Sequence, residues 1–367
     1  MNEMKTRKNY DPDLTLLGEL SLLFGPSGCE DEVADAIERG LPSLCDSFCR
    51  DRMGNLIALI RTGDHHAAER RRVMISAHMD EVGVMVGEIC EDGFLRFDTI
   101  GGIDVSVLEG RKVILGDAKN RICGLIASKA IHHKEKKERN KPTPISKLFI
   151  DIGAKDRAEA ERYLSVGSVG VFDSDFYRFG KDGAYVKGKA LDDRMGCAAM
   201  LSVMNSLMRN RPSADLDLYF CFTVREEIGL SGAKVAAQRI LPDLAIVLES
   251  TAVADLPETE PSKRVAELGK GGAISLMDRS TVYDRAFADF ALSVAKEQEI
   301  PVQIKKYVSG GNDAGSIHKS GTGVRTLALS VPTRYLHSPA CVANVEDYHS
   351  VAHLLEALLR TMTERTP

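Results

Sequence analysis

The chain has 367 residues, 44% of them hydrophobic and 28% charged, as in an ordinary soluble globular protein large enough for one main domain and a smaller one. Forty-eight basic against fifty-three acidic residues give a net charge of −5, which offers no electrostatic footprint for nucleic acid or an anionic membrane. No apolar run approaches a transmembrane span, the N-terminus lacks the apolar core of a secretory signal, and eight scattered cysteines without a CxxC pair fit a reduced, cytoplasmic setting.

In chain order, the segment from Asp11 to Leu41 predicts two amphipathic helices broken by the turn Gly25-Pro26-Ser27-Gly28. "NLIALIRTG" predicts a strand, Val73 to Ala77 a buried strand, and the alternating Val82 to Ile89 another. From about residue 91 to 178 short β-like runs alternate with glycine turns, the texture of a small β-barrel or sandwich. Within it "HHKEKKERNK" is a charge run, read as a solvated loop. After residue 179 an apolar helix from Met195, the strand Leu218–Val224, a helix from Gly229, the strand "LAIVLES", a helix from Tyr283, the strands "VQIKKYV" and "LALSVPT", and a final helix from Val345 follow one another. This alternation predicts an α/β fold, a mostly parallel sheet flanked by helices. Residues 1–90 and 179–367 then form two halves of one domain, with 91–178 inserted between them.

Ligands of open parallel sheets sit beyond the carboxyl ends of the strands. At those ends stand His78 and Asp80, then Glu226 and Glu227, then Glu249, then His337, with Asp192 and Asp193 before the helix from Met195. Singly each has a plain explanation: a packed histidine, a helix cap, a turn. Together they would crowd charge at one sheet edge with nothing to offset it, which argues for cations between them. Imidazole and carboxylate ligands without thiolates suit zinc, cobalt or manganese, zinc first. Five candidates (His78, Asp192, Glu227, Glu249 and His337) are too many for one open catalytic ion and suit two that share a bridging carboxylate.

Five stretches taken together, "AHMDEVG", "KALDDRMG", "REEIGLSGA", "GGNDAGSIH" and "VPTRYLHSP", resemble the M42 family of metallo-aminopeptidases over nearly the whole chain. The resemblance implies His78 and Glu249 on one metal, Glu227 and His337 on the other, and Asp192 bridging. It implies Glu226 as the general base that takes a proton from the water between the metals, Asp80 as the carboxylate orienting His78, and a cis Asp192–Asp193 peptide. It further implies a PDZ-like insertion concerned with assembly and access, peptide substrates, and a homo-oligomer, commonly a dodecamer. Glu249 stands where the family usually has aspartate, and Asn312 where it typically has threonine. A deacylase or carboxypeptidase with the same centre is the nearer alternative. A glycoside hydrolase also uses paired carboxylates, but a chain with no tryptophan and 6% aromatics lacks the favoured platform for sugar rings.

Overall fold

The computed structural model describes residues 12–64, 69–136 and 141–362. The N-terminal residues 1–11 and part of the charge run, residues 137–140, lie outside the described residues.

The apolar runs assemble into one mixed sheet of eleven strands. At its centre Leu216–Thr223, Arg71–His78, Leu244–Ala252 and Arg325–Arg334 lie side by side and parallel. These strands are apolar at successive positions because both faces are covered. Val73, Ile75 and Ala77 point to one core with Leu218, Phe220 and Phe222. Met74 and Cys221 point to the other. The first face is covered by the helices Leu191–Arg209 and Val345–Thr361, the second by Ser231–Ile240 and Ala314–Ile317. Phe220 is fully enclosed. Its replacement by alanine is expected to cost about 3–5 kcal/mol, read as an earlier midpoint in urea unfolding with the far-UV spectrum of the native state unchanged.

A closed antiparallel barrel of six strands is inserted in this sheet and has its own apolar core around Val84, Val86, Leu95, Leu115 and Ile150. The barrel begins earlier than the expected division at residue 91. Gly83–Ile89 pairs with Leu95–Ile100 and with Val169–Phe172, so its alternating apolar side faces the barrel interior rather than the main sheet. The chain leaves the barrel after Phe172 and rejoins the main sheet at Tyr177–Phe179. Among the described residues no helix is long and apolar enough to cross a membrane.

Candidate metal centre

The parallel strands deliver their carboxyl ends to one edge. His78 ends its strand opposite Thr223, and Glu249 lies beside Ser330 in the neighbouring ladder. Thr223 is followed by a turn in which Arg225 has φ 57° and Gly229 φ 126°, a region that glycine enters at no steric cost. That turn carries Glu226 and Glu227. His337 comes from the loop after Arg325–Arg334, and Asp192 from the first turn of Leu191–Arg209.

The two aspartates at that helix start divide two roles between them. Asp193 Oδ1 accepts from the Gly196 amide at 3.0 Å, so it is the capping carboxylate. Asp192 is held away from the helix backbone, and its buried Oδ1 has no hydrogen-bond partner. The peptide between them is cis.

The five predicted ligands converge into two groups that share Asp192. His78, Asp192 and Glu249 form one and Asp192, Glu227 and His337 the other, with ligand atoms in each group all within 4.8 Å of one another. His78 Nε2 lies 3.4 Å from Asp192 Oδ1 and 3.8 Å from Glu249 Oε2. His337 Nε2 lies 3.5 Å from Asp192 Oδ2 and 3.2 Å from Glu227 Oε1. Most of these gaps are long for hydrogen bonds. Two ligands each about 2.0–2.1 Å from one tetrahedral ion stand roughly 3.3 Å apart, close to three of the four spacings, with the His78–Glu249 gap of 3.8 Å the longer one. Glu249 Oε1 is a further buried oxygen without a partner.

Both imidazoles are turned for ligation. His78 Nδ1 is 3.1 Å from the Asp80 carbonyl and His337 Nδ1 is 2.7 Å from the Gly102 carbonyl. A carbonyl only accepts, so Nδ1 carries a proton and Nε2 is the nitrogen turned to the carboxylates, where a cation would take the place of its proton. Asp80 thus orients His78 chiefly through its main chain, its carboxylate standing 3.5 Å away. That carboxylate accepts from Ser27 Oγ at 2.5 Å and from the amides of Glu226 and Glu227 at 3.0 and 3.2 Å. Gly102 belongs to the segment that follows the barrel strand Leu95–Ile100, so the insertion reaches the centre itself. Beside it Gly101 has φ 78°, and a Cβ there would stand 2.8 Å from Val82 and 3.3 Å from Glu227 Cβ.

Electrostatically the edge is dominated by carboxylates. Asp80, Asp192, Asp193, Glu226, Glu227, Glu249 and Asp313 surround two histidines. Burial disfavours charge on His78 and His337, yet Asp192 beside both, with Asp80 and Glu227, holds the imidazoles well above their ordinary range. Burial drives Glu226 and Glu249 well above the usual carboxylate range. Groups that would draw in protons in this way accept divalent cations readily, so the residues present fit two metal ions. His78 is 1% exposed and His337 30%, so the centre opens on the His337 side.

Sequence reasoning passed over Ser27, Glu30, Asn55 and Gly102, which hold the backbone around the centre. The turn "GPSGCE" was visible as a turn. Nothing local in it signals that two of its side chains reach residues 80 and 225.

The sequence profile described as M42 glutamyl aminopeptidase matches residues 54–354. A putative aminopeptidase from Acetivibrio thermocellus is 37% identical over 340 residues, 93% of this chain and 96% of its own. Among solved structures, the TET aminopeptidase from Thaumarchaeota archaeon SCGC AB-539-E09 superposes with a TM-score of 0.90 at 32% identity, covering 95% of this chain and 96% of the other. The Pyrococcus horikoshii TET1 peptidase, which can assemble into a tetrahedron or a large octahedral shell, gives 0.82 at 32% identity, covering 95% and 99%.

Proposed function

Because the chain belongs to the M42 glutamyl aminopeptidase family and is a metal-dependent aminopeptidase, we propose that it works with two divalent cations, zinc first among them. His78 and Glu249 would hold one and Glu227 and His337 the other, with Asp192 shared between them. The observation that carries this reading is the pair of ligand groups sharing Asp192, with its two oxygens 3.4 and 3.5 Å from two different imidazoles. When bound, the cations supply Lewis-acid polarisation of a carbonyl and acidify water at the site.

The chain's own residues do the rest. The peptide enters from the more open His337 side. Glu226, next to a ligand but outside both Asp192 groups, takes a proton from the attacking water as the new C–O bond forms. It returns that proton to the leaving nitrogen as the C–N bond breaks. The free amino acid and the shortened peptide together contain the atoms of peptide and water. Asp80 keeps His78 in the ligating tautomer and seats the turn that carries both glutamates. By likeness to the shell-forming relative, the chain assembles as a homo-oligomer, with a dodecamer among the forms expected.

The test is hydrolysis of a panel of aminoacyl-p-nitroanilides, each paired with its N-acetylated counterpart, before and after chelation by EDTA. Chelation is expected to lower the rate by about 10²-fold or more, and zinc, cobalt or manganese to restore it. Only the free-amine substrates should be cleaved. Release of acetate from the acetylated compounds, with the anilide bond left intact, would favour a deacylase, and full activity in EDTA would remove the metals from the mechanism.

A further inference from the structure

The turn after Leu216–Thr223 closes on itself at its far end, where the Gly229 and Leu230 amides donate to the Glu226 carbonyl, but its leading edge is held from outside. Four successive amides donate to side chains remote in sequence. Val224 donates to Asn55 Oδ1 at 3.1 Å, Arg225 to Glu30 Oε1 at 3.1 Å, and Glu226 and Glu227 to the two oxygens of Asp80. Arg225 occupies the left-handed region at φ 57°, a conformation that persists in a non-glycine residue only where its surroundings enforce it.

Glu30 is one of those surroundings. It is 5% exposed and stands directly before the helix Asp31–Glu38, where a serine, threonine, aspartate or asparagine would cap the first turn. Its side chain caps nothing there. Oε1 accepts instead from the Gly28 amide at 2.7 Å and from Arg225 across the chain. Ser27, three residues earlier, donates to the same Asp80 carboxylate that seats the next two amides. The 25–30 turn is in turn clasped to the end of Arg71–His78. Ser27 N donates to the Glu81 carbonyl at 3.3 Å and Glu81 N to the Gly25 carbonyl at 2.9 Å.

We propose that Glu30 is a positioning residue for peptide hydrolysis: it seats the Arg225 amide so that the turn delivers the Glu226 carboxylate to the substrate while Glu227 faces the metal, and Ser27 supports the same turn through Asp80. This rests on Glu226 being the proton carrier. Glu30 belongs to neither ligand group, so its removal moves the base without emptying the centre. A misplacement of about 1 Å is enough to cost on the order of 10²-fold in rate.

The test uses the full chain with Glu30→Ala, Glu30→Gln and Ser27→Ala. Three quantities are read: bound metal per chain, amide hydrogen exchange of a peptide spanning residues 224–230, and kcat and KM separately. Glu30→Ala is expected to lower kcat by about 10–100-fold while KM and metal content stay near wild type. Exchange at Arg225–Glu227 should quicken by about 10-fold or more, with the remaining chain protected as before. Ser27→Ala should show the same pattern at smaller amplitude. Glu30→Gln keeps a carbonyl oxygen for both amides and should recover most of the lost kcat and protection. Unchanged kcat and exchange in a folded Glu30→Ala would overturn the proposal. So would loss of kcat together with metal, or with protection along the whole chain, in the alanine and glutamine variants alike, because that marks a general folding role. A wild-type chain that cleaves nothing with any metal faults the peptidase reading alone, and the exchange result still decides whether Glu30 sets this turn.

Discussion

Replacing Glu226 by glutamine is expected to lower kcat by about 10²–10⁴-fold while the protein keeps its full complement of metal. The amide is nearly the same size as the carboxylate and leaves the backbone of the turn, which is fixed from Asp80 and Glu30, undisturbed. The change removes only the ability to accept a proton. The position also admits a competing role, because the Glu226 carboxylate lies within 4.8 Å of ligand atoms of His78 and Glu227. A ligand at 226 would take metal with it when replaced. A base would not. Metal content by plasma mass spectrometry and kcat on the same preparation separate the two, and a Glu226→Gln enzyme of full activity would be incompatible with either.

Much of this centre could be read from the chain because parallel strands deliver the residues at their carboxyl ends to one edge. Histidine or acid after four apolar runs, with one more acid at a helix start, was enough to name His78, Asp192, Glu227, Glu249 and His337, and the structure gathers all five. The residues that hold the centre were not legible, for a physical reason. Glu30 and Asn55 act on main-chain amides at 225 and 224, and Ser27 on a carboxylate at 80. An acceptor for a backbone N–H needs no particular partner side chain, so such contacts leave no pattern of residue types at the other end. The Gly102 carbonyl that fixes His337 leaves even less, since any residue has a carbonyl. The barrel edge was misplaced for a different reason. Gly83–Ile89 alternates as a half-buried strand should, and alternation tells that one side is buried without telling against which core. The role of Asp80 also shifted. The family resemblance implies a carboxylate–imidazole pair, whereas the carbonyl makes the closer contact and the carboxylate, 3.5 Å from the ring, also serves the glutamate turn.

Asp192→Asn is expected to fail in the opposite way to Glu226→Gln. Oδ1 faces His78 and Oδ2 faces His337, and only a carboxylate offers an anionic oxygen to both. The amide keeps one carbonyl oxygen and turns an N–H₂ donor toward the other ligand group, where an acceptor is needed. One cation site is therefore lost outright and the other loses half of a charge it shared. Bound metal should fall from about two ions per chain to one or fewer, since this is the residue common to both groups. Several kcal/mol of charge stabilisation disappear with it, which corresponds to about 10³-fold or more in kcat. Both variants would thus be nearly inactive, and metal analysis alone would tell them apart. If Asp192→Asn kept two ions per chain after gel filtration, the bridge would have to be another residue. Glu227 is then the next to replace, because its carboxylate lies in the His337 group and also within reach of His78. If the count falls to one while Glu226→Gln stays at two, the neighbouring carboxylates of this edge have been sorted into one that holds cations and one that moves a proton.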